Sequence, residues 1–320
     1  MPEFTVMVTD DRHGDYSIEE NILRDCGAAL EVKNCRTEED VIRICKKADG
    51  LLLDLAPMPA RVVMAMEKVR VISRYGVGYD NVDPEACTRK KIYLANVPDY
   101  CEEDVSDLAL AHIFCSLRQI VLKDKLIRQG KWNLGRENIF RIKGKTLSII
   151  GYGRSGRCLH RKVSALGLGE VLVCDPYVDP ALIEKNGAKP VNLSEALSKA
   201  DIVTLHIPLT KETDKIMNAD AFGRMKKTAV FVNTSRGGVL DHQALVKALQ
   251  TKQIAFAGLD NHHVEPLPGD DPLLTLDNCV LTDHTGFNTQ EGVRELKTKV
   301  AENVKAVLTG GVPRYWINTF

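Results

Sequence analysis

At 320 residues the chain is long enough for two domains, each able to bury its own core. Its 43 Lys and Arg balance 43 Asp and Glu, so no net field draws it to nucleic acid or to an anionic membrane. Nine cysteines, scattered and without a C-x-x-C, argue for reduced intracellular thiols over a disulfide frame or a zinc site. With no basic stretch leading into a long apolar run after Met1, a cytoplasmic protein is expected.

Taken in order, the first hundred residues alternate strand and helix patterns. Phe4–Val8 reads as an apolar strand, and Ile18, Ile22 and Leu23 as a helix stripe. Residues 30–32 form a weak strand, Val41, Ile42 and Cys45 another helical face, and Leu51, Leu52 and Leu53 a buried strand ending at Asp54. Strands over Val71–Arg74 and 92–95 complete an alternation that calls for a parallel sheet with helices on its faces. Ligands of such sheets lie beyond the carboxyl ends of strands, so the loop Gly76-Val77-Gly78 is either a seat for a small ligand or a plain connection. From 102 to 129, Val105, Leu108, Ala109, Ile113, Leu117 and Val121 at helical spacing predict one long helix linking two domains.

Residues 146–175 read as strand, glycine turn, helix and second strand. Gly151, Gly153 and Gly156 form G-x-G-x-x-G where the helix opens: Gly151 for a tight turn, Gly153 for close approach of a pyrophosphate, Gly156 for close packing of helix on strand. The helix start then faces the anion with unpaired N–H groups. Asp175, 19 residues after Gly156, follows the second strand, where a carboxylate accepts hydrogen bonds from the adenosine ribose and repels a 2′-phosphate. NAD is therefore expected in preference to NADP. Further strands are predicted at Ile202–Leu205, 229–232, 254–258 and Cys279–Leu281, and the last helix, Gln290–Leu308, is expected to cross back to the first domain. Trp316 and Phe320 in the tail should pack on that domain. No internal repeat or low-complexity segment is evident.

Three residues after the cofactor unit offer redox chemistry. Arg236 follows one strand and can grip a carboxylate and polarise a neighbouring carbonyl through its planar fork of donors. Glu265 and His284 follow two others, and a His bonded to a carboxylate is oriented and suited to donate a proton to a carbonyl. Singly these read as a surface ion pair, a turn beside Pro266 and a structural His; together, at one sheet edge, they read as a site.

With these residues in view, the sequence resembles the D-isomer-specific 2-hydroxyacid dehydrogenase family over nearly its whole length. GYGRSGR, with Arg154 and Ser155, and Asp175 match the cofactor fingerprint. LHIPLT with Thr213 matches the segment carrying His206 and Pro208. NTSRGGVLD, with Thr234, Ser235 and Arg236, matches N-x-x-R-G-x-x-V-D apart from Leu240 at the valine. GLD ending at Asp260, Glu265-Pro266, and residues 282–289 with His284 and Gly286 match the remaining motifs. The resemblance implies that Arg236 binds the keto acid, His284 is the acid/base, Glu265 tunes it, Asp260 holds the nicotinamide amide, and backbone amides at Val77 and Gly78 receive the substrate carboxylate. RYGVGYDNVD and the ending GGVPRYWINTF are most similar to the C-terminal-binding-protein branch, which implies substrate roles for Arg74 and for the aromatic Phe287.

The expected architecture is α/β, with two doubly wound parallel-sheet domains. A flavodoxin-like substrate domain spans 1–101 plus 288–320 and a Rossmann NAD domain spans 102–287, with the active site in the cleft between them. The expected reaction is NAD-dependent interconversion of a small 2-keto acid and a D-2-hydroxy acid of glyoxylate, hydroxypyruvate or phosphoglycerate type. Homodimerisation through the segment after 101 is implied by the resemblance. The alternative is an NAD(H)-sensing, corepressor-like protein. Formate oxidation is disfavoured, since that subfamily has glutamine where Glu265 stands. Two departures are notable: Asp283 replaces the proline usual before His284, and Asn261-His262-His263 replaces the common V-F-E. No metal is expected, because adjacent histidines on a strand face opposite ways and no Cys or acidic cluster in the sequence completes a site.

Overall fold

Strands that are apolar on both faces must be covered on both faces, and four-residue runs such as GLLL, IVTL, VFVN and FAGL are buried throughout. The computed structural model describes residues 2–132 and 138–320. It divides into two compact units, Met1–Tyr100 with Thr289–Phe320, and Cys101–Asn288.

The first unit holds a five-stranded parallel sheet of β1 (Phe4–Val8), β2 (Ala28–Val32), β3 (Gly50–Leu53), β4 (Val71–Arg74) and β5 (Tyr93–Ala95). Their spatial order is β2-β1-β3-β4-β5, a doubly wound arrangement. Helix Gln290–Leu308 returns to this sheet and buries Leu296, Val300, Ala301, Val304, Val307 and Leu308. It comes so close that a Cβ at Gly50 would lie 2.9 Å from Val304. The tail then closes the β5 edge. Trp316 bridges Ala95, the Ile317 amide donates to Leu94 O (2.8 Å), and the Asn318 side chain accepts from the Leu94 amide and donates to Ile92 O (2.8 and 2.9 Å). Trp316 and Phe320 both pack on Tyr93. An edge strand whose polar groups are paired in this way offers no template for another chain.

The second unit holds a seven-stranded parallel sheet of β6 (Thr146–Ile150), β7 (Glu170–Cys174), β8 (Lys189–Pro190), β9 (Ile202–Leu205), β10 (Val230–Asn233), β11 (Phe256–Leu259) and β12 (Cys279–Leu281), ordered β12-β11-β10-β9-β6-β7-β8. Side chains alternate between its faces. Ile150, Leu205, Phe231 and Leu259 join one core, while Leu147, Ile149, Val230 and Val232 join the other with Ala109, Ile113 and Leu117. The chain order reverses direction between β6 and β9, which is where such sheets open a ligand crevice.

The predicted single helix over 102–129 is in fact two, Glu102–Arg118 and Ile120–Arg128, bent by 59°. Gln119 between them adopts a left-handed conformation (φ 52°) and is itself buried, with its side chain donating to Asn138 O. The apolar spacing ran on past the turn because Val121 continues it in sequence. Ile120, Val121 and Ile127 are nevertheless exposed, so no core contact holds the second helix to the first axis. No single helix among the described residues is long and apolar enough to cross a membrane.

Candidate active site

The glycine turn follows from steric need. Gly151 has φ +92°, and a Cβ there would lie 2.4 Å from His206 O. A Cβ on Gly156 would lie 2.3 Å from Gly151 O, so this residue lets helix Arg154–Val163 seat on the turn. At Gly153 a Cβ would meet nothing within 4 Å, leaving open space in front of a helix start that no side chain caps. Unpaired amides facing open space are an anion site. Asp175 stands at the end of β7, with one carboxylate oxygen accepting from the Tyr152 amide (2.7 Å) and the other from the Tyr177 amide (2.9 Å). These bonds lock the turn to the acidic residue that should read the ribose. Thr234, buried after β10, has its hydroxyl oxygen without a partner among the described residues. An orphaned hydroxyl beside this crevice fits a bound polar ligand such as NAD.

His206, just after β9, is buried between Thr204 Oγ1 (3.1 Å from Nε2) and Ser155 Oγ (3.3 Å from Nδ1). Burial lowers its pKa to about 4, against 6.5 for the free side chain. Between these values the native ring stays neutral while the unfolded chain takes up a proton. Stability should therefore fall as pH drops from 6.5 to 4, by on the order of 3 kcal/mol. Chemical-denaturation midpoints over that range, compared with those of His206→Gln, check this; an unaltered pH slope in the variant would exclude His206 as its source. Nearby, Thr213 donates to Pro208 O at 2.7 Å, pinning the segment after His206.

Asn233, at the end of β10 and fully buried, shapes the loop that carries Arg236. Its Oδ1 accepts from the Ser235 amide and hydroxyl, and its Nδ2 donates to Arg236 O. The Arg236 guanidinium donates to Ser235 O (2.7 Å) and is part-exposed.

Glu265 and His284 meet. Nδ1 of His284 lies 2.7 Å from Glu265 Oε2, and Glu265 Oε1 accepts from the His262 amide at 3.0 Å. Burial pushes the Glu265 carboxyl up, but the bonds from His284 and the His262 amide outweigh it and hold the group below its ordinary range. His284 has φ +59°, a left-handed backbone rare outside glycine and common at functional positions. Phe287 lies edge-on to its ring, 6.3 Å between centroids.

What imposes that backbone is Asp260, buried at the end of β11. Its Oδ1 accepts from Thr282 Oγ1 (2.7 Å) and the Thr285 amide (3.0 Å), its Oδ2 accepts from the Gly286 amide (3.0 Å), and its carbonyl accepts from the His284 amide (2.8 Å). Both carboxylate oxygens thus brace the loop that presents His284. The sequence reading missed the rest of this network. Because Thr282 gives its only hydrogen to Asp260, the 3.0 Å contact with His112 Nε2 has the imidazole as donor. His262 Nε2 likewise donates to Thr282 O at 2.7 Å. His112 stands 170 residues from Thr282, and no local pattern relates them.

Residues 110–286 match the model of the D-isomer specific 2-hydroxyacid dehydrogenase, NAD binding domain. This chain belongs to the D-isomer-specific 2-hydroxyacid dehydrogenase family. Among similar members of the family, D-3-phosphoglycerate dehydrogenase of Methanocaldococcus jannaschii is 36% identical over 98% of this chain, which spans only 59% of that relative's length. Glyoxylate reductase of Korarchaeum cryptofilum is 37% identical over 87% of this chain and 84% of its own. The crystal structure of a glyoxylate reductase from Paecilomyes thermophila superposes with a TM-score of 0.89 at 26% identity, covering 99% of both chains.

The remaining candidates lie in the first unit. Arg74 ends β4, folds over Gly76 and pairs with Asp54 at 3.5 Å. Burial raises the Asp54 carboxyl even though Arg74 opposes the shift. The loop after β4 is pinned by Asn96, whose Nδ2 donates to Val77 O, while the amides of Val77 and Gly78 have no acceptor among the described residues. The adjacent histidines part company in the fold: His262 reaches Thr282 O, whereas His263 meets His242, 21 residues before it, and Asp271, eight residues after it.

Proposed function

We propose that this family member is an NAD-dependent oxidoreductase that interconverts a small 2-keto acid and a D-2-hydroxy acid, of glyoxylate, hydroxypyruvate or phosphoglycerate type. The observation that carries the reading is the 2.7 Å pair of His284 Nδ1 with Glu265. It commits one ring nitrogen and leaves Nε2 to give a proton to a carbonyl oxygen in reduction, or to take one from a hydroxyl in oxidation. When bound, NAD supplies the hydride donor or acceptor. Glu265 orients the ring through its bond to Nδ1, and Arg236 grips the substrate carboxylate and polarises the carbonyl beside it. Arg74 and the backbone amides of Val77 and Gly78 are proposed as further carboxylate ligands, with Phe287 as an apolar wall. The helix start after Gly153 receives the pyrophosphate, and Asp175 selects NAD over NADP.

The test is NADH oxidation with glyoxylate, hydroxypyruvate, pyruvate, phenylpyruvate and 3-phosphohydroxypyruvate, repeated with NADPH. Turnover of at least one acid is expected, with NADH favoured by more than about tenfold in kcat/KM, or 1.4 kcal/mol. NADH binding without turnover of any acid would move the assignment to an NAD(H)-sensing protein of the C-terminal-binding-protein branch. That second reading is favoured by the tail GGVPRYWINTF. We also propose a homodimer, supported by the exposed Ile120, Val121 and Ile127, and a cytoplasmic location, with which nine free thiols are compatible.

A further inference from the structure

Around the loop that also carries Glu265, and distinct from the Glu265–His284 pair in its residues, the second unit gathers another set of ligating side chains. His242 opens helix His242–Gln250 directly after its cap Asp241, His263 lies in the loop after β11, and Asp271 caps the short turn Pro272–Thr275. The two imidazoles stack, 3.7 Å between centroids and 26° between planes. Asp271 Oδ2 lies 3.0 Å from His242 Nε2 and 4.0 Å from His263 Nδ1, and one ligand atom from each residue falls within 4.8 Å of the others.

The carboxylate is prepared for this task. Its side chain is 3% exposed, and Oδ1 is fixed by the Leu273 amide at 2.9 Å, which turns Oδ2 towards both rings. A carboxylate oriented by a backbone donor is the usual support behind a metal ligand. Three residues from three separate segments bring two imidazole nitrogens and one carboxylate oxygen within 4.8 Å of one another.

We propose that His242, His263 and Asp271 bind one divalent transition-metal ion of the zinc class, with water completing the shell. Two imidazole nitrogens and one carboxylate oxygen suit zinc and its neighbours, whereas magnesium and calcium take oxygen ligands. Tetrahedral donors around such an ion stand about 3.4 Å apart, given metal–ligand distances of about 2.0–2.1 Å. The His242–Asp271 pair is already within that spacing. His263, the most exposed of the three and carried on a loop, is the ligand that must turn its ring out of the stack and draw in from 4.0 Å of Asp271 Oδ2 to complete the set.

The probe is cobalt(II), added to the full chain after chelator treatment, with bound metal counted by elemental analysis and the visible spectrum recorded. One ion per chain is expected, with bands of a nitrogen and oxygen site and none of thiolate charge transfer, and zinc should displace it. His263→Ala changes an exposed side chain and His242→Ala a part-exposed one; each should weaken cobalt binding by at least about tenfold. Zinc should raise the Tm of the parent chain and leave that of His263→Ala unmoved. Equal uptake by the parent and both variants, thiolate bands that place the ion on the cysteines, or no uptake at all would each overturn the proposal. None of these readouts depends on turnover, so the site stands or falls separately from the dehydrogenase assignment.

Discussion

His284→Ala is expected to lower kcat by about two to four orders of magnitude, the range over which a positioned general acid contributes, while NADH affinity changes little. The ring is held by Glu265 at Nδ1 and by a backbone that Asp260 forces into the left-handed region, so nothing else in its place can carry the proton at that point. Steady-state rates with the best keto acid, paired with NADH binding by fluorescence, separate the two effects. A kcat within a factor of a few of the parent would remove His284 from the chemistry. Glu265→Gln provides the companion measurement. It keeps a hydrogen-bond acceptor but removes the charge behind the ring, so kcat should fall by about tenfold or more while NADH affinity changes little; an unchanged kcat would leave Glu265 with orientation alone.

Asp260→Ala is expected to cost both stability and turnover. The carboxylate is 2% exposed and accepts from the Thr282 hydroxyl and the Thr285 and Gly286 amides. Removing it strands those donors, at a cost on the order of 3 kcal/mol or more. Asp260→Asn does not rescue the site fully, because its amide nitrogen must face one of these donors. The loss should appear both as a lower denaturation midpoint and as a collapse of kcat, since the same bonds present His284. Unchanged stability together with unchanged turnover would contradict this account of the loop. A variant that keeps its stability and loses only NADH affinity would instead favour the nicotinamide contact that the family resemblance implies for Asp260.

How much of this was legible in the sequence follows from the range of each interaction. Strands such as Val71–Arg74, Ile202–Leu205 and Cys279–Leu281, and the helix Gln290–Leu308, begin and end where the sequence pattern alone places them, because apolar periodicity and punctuation by turn residues are local. The same holds for the glycine turn: φ +92° at Gly151 and the close approach at Gly156 are needs that only glycine meets, and they leave their mark in the spacing. The break at Gln119 was not legible, since the apolar spacing continues through it and only burial distinguishes the core-facing helix from the exposed one.

The sequence by itself determined the α/β alternation, the dinucleotide unit and the identity of the polar residues after each strand. Only the tertiary structure decided what those residues do to one another. It set His112 against Thr282, turned Asp260 to the loop of His284, and brought His242 and Asp271 to His263 while sending His262 elsewhere. The physical reason is that parallel strands place residues far apart in the chain side by side at one edge, where hydrogen bonds a few ångströms long are fixed by strand order and register, and neither leaves a periodic trace in the sequence.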